Sequence, residues 1–151
     1  MKETPDVTLF RHETRVTVRF HEVDMLGVCN NAVYINYFEQ ARLQYIKDLE
    51  LVPEGGLFAE NNFYMVRNEI NYRGHSRFDD ELIIYSRISY IGSSSYGFEH
   101  LVTNAKTGKL IADGKGVIVQ VSKPDEKPVP LSDGFRAAVN KYEKQVTTKG
   151  G

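Results

Sequence analysis

The chain has 151 residues, 41% hydrophobic and 26% charged, with a formal net charge of -1 and one cysteine. That balance fits one domain with its own core, and it argues against a basic nucleic-acid surface and an acidic solvating tail. A lone Cys29 leaves no internal disulfide or multi-thiolate metal site, and no stretch approaches the roughly 18 apolar residues of a membrane span.

Residues 1–12 are polar and read as a loose lead-in; acids and Pro5 stand where a secretory leader needs an apolar run, which predicts a cytoplasmic protein. From Arg15 to His21 the chain alternates. Val16, Val18 and Phe20 share one side and Arg15, Thr17, Arg19 and His21 the other, the pattern of a half-buried strand. A turn carrying Asp24 and Gly27 follows. Asn30 and Asn31 stand where a helix N-cap belongs, because a short amide side chain accepts from the first free backbone N–H groups.

The spacing predicts a helix over about 32–51. Tyr34, Ile35, Tyr37, Phe38, Ala41, Tyr45, Ile46 and Leu49 cover about half its circumference, so it is expected to be deeply buried against a sheet. Arg42 falls inside this arc, three residues after Glu39, and reads as a helix ion pair or a capping arginine at an interface. Val52-Pro53-Glu54-Gly55-Gly56 ends the helix.

The period then changes to two. Tyr64, Val66, Ile70 and Tyr72 are expected to form one strand face, and Leu82, Ile84, Ile88 and Tyr90 a second. Tyr96, Phe98, His100 and Val102 form a third, and Ile111, Val117, Val119 and Val121 a fourth. The 92–95 and 104–109 segments are hairpin turns. Pro124, Pro128 and Pro130 break the sheet, Ser132 reads as an N-cap, and Phe135, Ala138, Val139 and Tyr142 space as a short amphipathic helix. Residues 147–151 are expected to fray, leaving a single domain over 13–146. The order strand, long helix, four strands, short helix makes an α+β fold. One helix cannot cover both faces and both edges of a five-stranded antiparallel sheet, so a second copy of the chain is the simplest cover.

Asp24-x-x-Gly27, Asn30-Asn31-x-x-Tyr34 and Phe38-Glu39-x-Ala41-Arg42, taken in order, resemble the 4-hydroxybenzoyl-CoA thioesterase branch of the hotdog-fold superfamily. Glu69-Ile70-x-Tyr72, Asp79-Asp80-Glu81-Leu82, Ser93-Ser94-Ser95-Tyr96-x-Phe98 and Lys127-Pro128-Val129-Pro130 are similar to its later segments, so the likeness runs over about residues 13–140. The resemblance implies a hotdog fold, a five-stranded antiparallel sheet wrapped around a long central helix. It also implies dimers or tetramers with sites at the dimer interface, and metal-free hydrolysis of acyl-CoA or acyl-carrier-protein thioesters. No cofactor is implied beyond CoA as part of the substrate. Asp24 matches the family's catalytic acid and the Asn31 backbone N–H the group that polarises the thioester carbonyl. The chain departs from many relatives at Val28, where they carry histidine, and in the serines around Gly92, where the 4-hydroxybenzoyl enzyme has arginines for the CoA nucleotide.

The residues suit that chemistry on their own terms. A carboxylate seven residues ahead of helix-start N–H groups sets a base or nucleophile beside an electrophilic pocket. Asp24 is either the nucleophile, giving a mixed anhydride, or the general base on water; apolar shielding by Met25, Leu26 and Val28 would favour the base. The bland reading is a turn acid bonding its own backbone. Gly27 reads as a turn residue that also permits close substrate approach. Val28, Asn30, Tyr34, Tyr64 and Ser94 are candidate substrate contacts, and Lys115, Lys123 and Lys127 candidate partners of CoA phosphates. Cys29 with His21 would be a weak nucleophile pair; an inert, partly buried thiol is the plainer reading. His12, His75 and His100 show no ligand spacing. Besides hydrolysis, the fold could serve as a non-catalytic acyl-CoA-binding module, which would have no use for Asp24, or as a dehydratase, which would want a histidine working with it.

Overall fold

The computed structural model describes residues 5–148. In chain order they form β1 (His12–Thr17), α1 (Val33–Asp48), β2 (Asn61–Tyr72), β3 (Glu81–Ile91), β4 (Ser95–Asn104), β5 (Leu110–Ser122), α2 (Asp133–Tyr142) and β6 (Thr147–Thr148). The five long strands pair antiparallel in the order β1-β3-β4-β5-β2, which leaves β1 and β2 at the edges. This is the hotdog arrangement that the resemblance implies, with the short β6 as an addition on β3.

The helix lies on the sheet for the reason its sequence gives. Tyr34, Tyr37, Phe38, Ala41, Tyr45 and Ile46 are all buried. The first half of α1 packs on Leu82, Ile84, Val102 and Ala112; the second half packs on Ile88, Phe98 and Ile118. Gly114 sets the depth of docking. A Cβ there would stand 2.5 Å from the Phe38 ring and 2.9 Å from the Glu69 carbonyl oxygen, so only glycine lets the ring sit flush on the strand. Phe38 in turn stacks on the His100 imidazole at 4.6 Å between ring centres. Burial holds that imidazole well below its ordinary pKa.

Several expected strand faces shift, and bulges are the reason. β5 carries one extra residue opposite Val102–Thr103, so Ile111 and Ala112 are both buried and Ile118 then points to the core. Val117 and Val119 turn to the other side. β2 has a register shift between Met65 and Arg67. Before it Phe63 and Met65 face the core; after it Ile70 does. Tyr64, Val66 and Tyr72 are exposed rather than sharing a buried face with Ile70. β1 ends at Thr17, earlier than the alternation implies, because Glu22 bends the chain into a short 3-10 turn over Phe20–Glu22 by accepting from the Arg19 N–H at 2.8 Å. Phe20 therefore projects outward, 78% exposed, against the edge of Phe78.

Among the described residues both flanks of the domain carry structure, while residues 1–4 of the expected lead-in lie outside the described residues. Asp6 caps a 3-10 turn over Val7–Leu9, Phe10 is buried, and β1 begins at His12. At the other end β6 pairs in parallel with β3 at Tyr90 and Ile91; residues 149–151 lie outside the described residues. Between β1 and β6 the β3 edge is completed by a side chain. Glu143 accepts from the Ile88 N–H at 2.8 Å and from the Tyr45 hydroxyl.

Burial pushes the Glu143 carboxyl above its ordinary pKa. The folded chain thus binds this proton more tightly than the unfolded chain. The associated stability is fully present below the unfolded pKa and is lost as pH rises through the folded one. Glu143→Gln keeps an acceptor for both donors and never carries the charge. Its melting temperature is expected to exceed that of the native chain at pH 8 by a few degrees, with the gap closing toward pH 4. Melting curves across that range check this; a variant that melts lower at pH 8 overturns it.

Candidate active site

The 3-10 turn after β1 leads into a tight excursion closed by the isolated bridge between Val23 and Cys29. The Asp24 N–H donates to the Val28 carbonyl at 2.9 Å and the Asn30 N–H to the Glu22 carbonyl at 2.8 Å. Within this turn Asp24 Oδ1 accepts from the Leu26 N–H at 2.8 Å. Gly27 donates its N–H to the Asp24 carbonyl at 3.0 Å and has φ +80, a left-handed conformation that a side chain would strain. Nothing lies within 4 Å of where a Gly27 Cβ would stand, so the space beside it is open. The turn-acid reading of Asp24 is therefore correct for one oxygen. The other has no protein partner among the described residues, and the side chain is exposed.

The shielding expected from the neighbours of Asp24 is not supplied within one chain. Met25 is 103% and Leu26 83% exposed, and both project away. Tight turn bonds at Asp24, Gly27 and Val28 leave these two side chains no inward route.

α1 begins one residue later than its asparagines suggest, with Ala32 in the N-cap position and offering no side-chain bond. Asn30 does the capping work from just outside. Its Oδ1 accepts from the Ala32 N–H at 3.0 Å, and its carbonyl accepts from the Val33 N–H at 2.9 Å. The Asn31 N–H donates to no acceptor among the described residues. A helix start is where such a group attracts a developing negative charge. The structure thus places an exposed carboxylate inside the turn and an unpaired amide two residues past the bridge that closes it, at the approach to α1.

The floor beneath is a set of buried polar contacts. The Cys29 N–H donates to the Ser76 carbonyl at 2.7 Å. The Tyr34 hydroxyl bonds Ser76 Oγ at 2.7 Å, and the Tyr37 hydroxyl donates to Glu22 Oε1 at 2.9 Å. Tyr34 is 2% exposed, and burial pushes its pKa up to about 12; it supports the site from below and offers no atom to solvent. Cys29 is also buried, which raises its thiol pKa, and no histidine is among its partners. That is the inert thiol, not the nucleophile. His21 is exposed on the outer side.

Residues 18–139 match the sequence profile of the thioesterase-like superfamily. The chain belongs to that superfamily. It is 34% identical over 126 residues to YsmA, an uncharacterized protein of Bacillus subtilis, the match covering 83% of each chain. It is 28% identical over 127 residues to the acyl-CoA thioester hydrolase YbgC of Escherichia coli, covering 83% of this chain and 92% of that one. Among solved structures it resembles Slr0204, a 1,4-dihydroxy-2-naphthoyl-CoA thioesterase from Synechocystis. There the TM-score is 0.79 at 15% identity, over 86% of this chain and 96% of the other.

In this member of the thioesterase-like superfamily the remaining candidates are spread out. Tyr64 lies eight residues from Tyr72 along β2, roughly 26 Å at about 3.3 Å per residue, with its hydroxyl on Glu126 at 2.7 Å. Ser94 accepts the Gln120 N–H through its carbonyl at 2.8 Å, at that same far end. Within one chain neither meets Asp24. Lys115 stands 3.8 Å from Glu99, and Lys123 and Lys127 flank the exposed turn after β5. The Glu39–Arg42 ion pair does not form. The exposed Glu39 and the half-buried Arg42 both line the groove that also holds Tyr96, Phe98 and Met65, and burial there lowers the Arg42 pKa against the opposing pull of the Glu39 charge. That groove, between α1 and the β2 edge, holds about 350 Å³ and is mostly apolar. Among the described residues no group of three His, Cys, Asp or Glu is placed to hold a metal ion.

Sequence reasoning passed over Tyr72. Its hydroxyl donates to the Asn31 carbonyl at 3.1 Å across 41 residues of chain. Nothing local marks that contact: in the sequence Tyr72 is one more aromatic on an alternating strand.

Proposed function

We propose that the chain is an acyl-CoA thioesterase, releasing free acid and CoA, and that it works as a homodimer or a dimer of dimers. The observation that carries this is the unpaired Asn31 N–H at the approach to α1, two residues past the bridge that closes the turn holding the Asp24 carboxylate. In the proposed reaction the thioester carbonyl oxygen accepts from the Asn31 N–H. As the carbonyl carbon is attacked, negative charge grows on that oxygen and the bond strengthens, which lowers the barrier more than it tightens binding. Asp24 either takes a proton from the attacking water, or attacks the carbon itself to give a mixed anhydride that a water molecule then hydrolyses to free acid and the regenerated carboxylate; the CoA thiolate leaves in both routes. No metal or redox cofactor enters this scheme.

Water must be excluded for such bonds to count, and one chain leaves Asp24 open. Three features supply the reason for a second copy: the uncovered β2 edge, the apolar groove beside it, and the outward Met25 and Leu26. If two β2 edges pair antiparallel about a two-fold axis, the Tyr72 end of one strand meets the Asn61 end of the other. Tyr64 of a second copy then approaches Asn31 of the first, which reconciles its distance within a single chain with a contact to substrate.

Hydrolysis of short-, medium-, long-chain and aryl acyl-CoA, read by thiol release, tests the reading. Turnover of at least one member at a kcat near the usual enzymic range of about 1 s⁻¹ or above is expected. A folded protein that hydrolyses none of them overturns the acyl-CoA assignment; acyl-carrier-protein thioesters, offered next, then separate a different donor from a binding module.

A further inference from the structure

We propose that Tyr72 and Asn30 are positioning residues that hold the free Asn31 N–H in place at the approach to α1. The inference rests on the thioesterase reading above and adds to it how the amide is held.

A helix start ordinarily offers several unpaired N–H groups. Here they are sorted. The Ala32 N–H goes to the Asn30 side chain at 3.0 Å, the Val33 N–H to the Asn30 carbonyl at 2.9 Å, and the Tyr34 N–H to the Asn31 carbonyl at a long 3.4 Å. Asn30 thereby removes two competing donors with one residue. A substrate oxygen arriving at the Asn31 N–H thus meets no competing donor from Ala32 or Val33, which matters because a carbonyl held by two alternative amides is not held in register with the attacking group.

Tyr72 fixes the other side of the same turn. Its hydroxyl donates to the Asn31 carbonyl at 3.1 Å, closer than the Tyr34 N–H that shares this oxygen. The hydroxyl is itself well mounted. The Tyr72 ring meets Tyr34 edge-on at 5.8 Å, and Tyr34 is tied to Ser76 by a buried bond of 2.7 Å. The Asn31–Ala32 peptide is thus braced from β2, a different element, and the neighbouring Asn30–Asn31 peptide, which carries the free N–H, is held by the Val33 N–H on its carbonyl. Neither Tyr72 nor Asn30 has to touch substrate for this. Both act through the Asn31 backbone.

Tyr72→Phe removes one oxygen from an exposed side chain and keeps the ring against Tyr34. Asn30→Ala removes the cap, and Asn30→Ser restores a short acceptor at that position. With the acyl-CoA that the native chain hydrolyses best, Tyr72→Phe and Asn30→Ala are each expected to lower kcat about tenfold with KM within about twofold. Asn30→Ser is expected to recover most of the loss. Amide hydrogen exchange gives a readout apart from activity: the Ala32 amide exchanges faster in Asn30→Ala and recovers in Asn30→Ser, and the Asn31 amide resonance moves in Tyr72→Phe. Native kcat in both Tyr72→Phe and Asn30→Ala overturns the inference while the thioesterase reading stands. A kcat loss that merely follows a fall in melting temperature overturns it as well. If the native chain hydrolyses no acyl-CoA, the thioesterase reading fails by itself. The amides then decide: unchanged Asn31 and Ala32 in the variants refute the positioning role.

Discussion

Asp24→Asn is expected to lower kcat for acyl-CoA hydrolysis by about 10³-fold, with KM within about threefold and the melting temperature unmoved. The substitution is informative because the structure separates the two jobs of this side chain. Oδ1 accepts from the Leu26 N–H, and an asparagine oxygen does that equally well, so the turn between Val23 and Cys29 keeps its form. What asparagine lacks is the basic, nucleophilic second oxygen. Loss of turnover with intact folding and intact binding of a non-hydrolysable acyl-CoA analogue identifies Asp24 as the reacting group. Rates and melting curves on the same preparations make the comparison. Retention of more than a tenth of native kcat would return Asp24 to the status of a turn acid.

Val66→Lys is expected to dissociate the dimer at micromolar concentration and to cut turnover by about tenfold or more. Val66 is the extra residue at the β2 bulge, 59% exposed on an edge strand. Near a two-fold axis a lysine there meets its own copy and the Arg67 of the other chain, and like charges across paired strands oppose association. The single chain loses little, because Val66 packs on nothing in its own core. Sedimentation at several concentrations, run beside the activity assay, measures both effects. A variant that stays dimeric refutes pairing through β2. A variant that becomes monomeric and remains fully active refutes the need for a second copy at the site.

The fold was legible because its signals are local and repeated. A broad apolar arc on one helix, alternation over four strands, and glycine or proline at each turn give the element order, and the resemblance to the hotdog thioesterases gives how the sheet wraps the helix. The shifted faces share one cause. Alternation is a count of two, and a single extra residue at Val66 or Ile111 inverts everything beyond it. Bulges depend on partner strands that sequence spacing does not reveal. The site divides along the same line. Asp24, Gly27, Asn30 and Asn31 are neighbours in sequence, so their grouping in one turn and helix approach was readable. Tyr72 and Ser76 reach the same place from β2 and the connection after it, and no periodicity announces a hydroxyl bonding a carbonyl 41 residues away. Arg42 shows the opposite limit: its spacing from Glu39 suggests an ion pair or a capping arginine at an interface, and in the single chain it lines the groove with Glu39 without a direct salt bridge.

The way Glu143 and β6 finish the β3 edge bears on how the chain is made. Glu143 follows Ile88 by 55 residues, so β3 leaves the ribosome long before its own edge partner. Until then the stretch beyond Ser86 presents unpaired amides and carbonyls, a surface on which nascent chains can stack wrongly. Closure by a glutamate and a two-residue strand comes last and joins distant parts of the sequence, the kind of step that slows folding. Chain-length-dependent aggregation, rather than loss of catalysis, is the cost that falls on any nascent chain halted before Glu143.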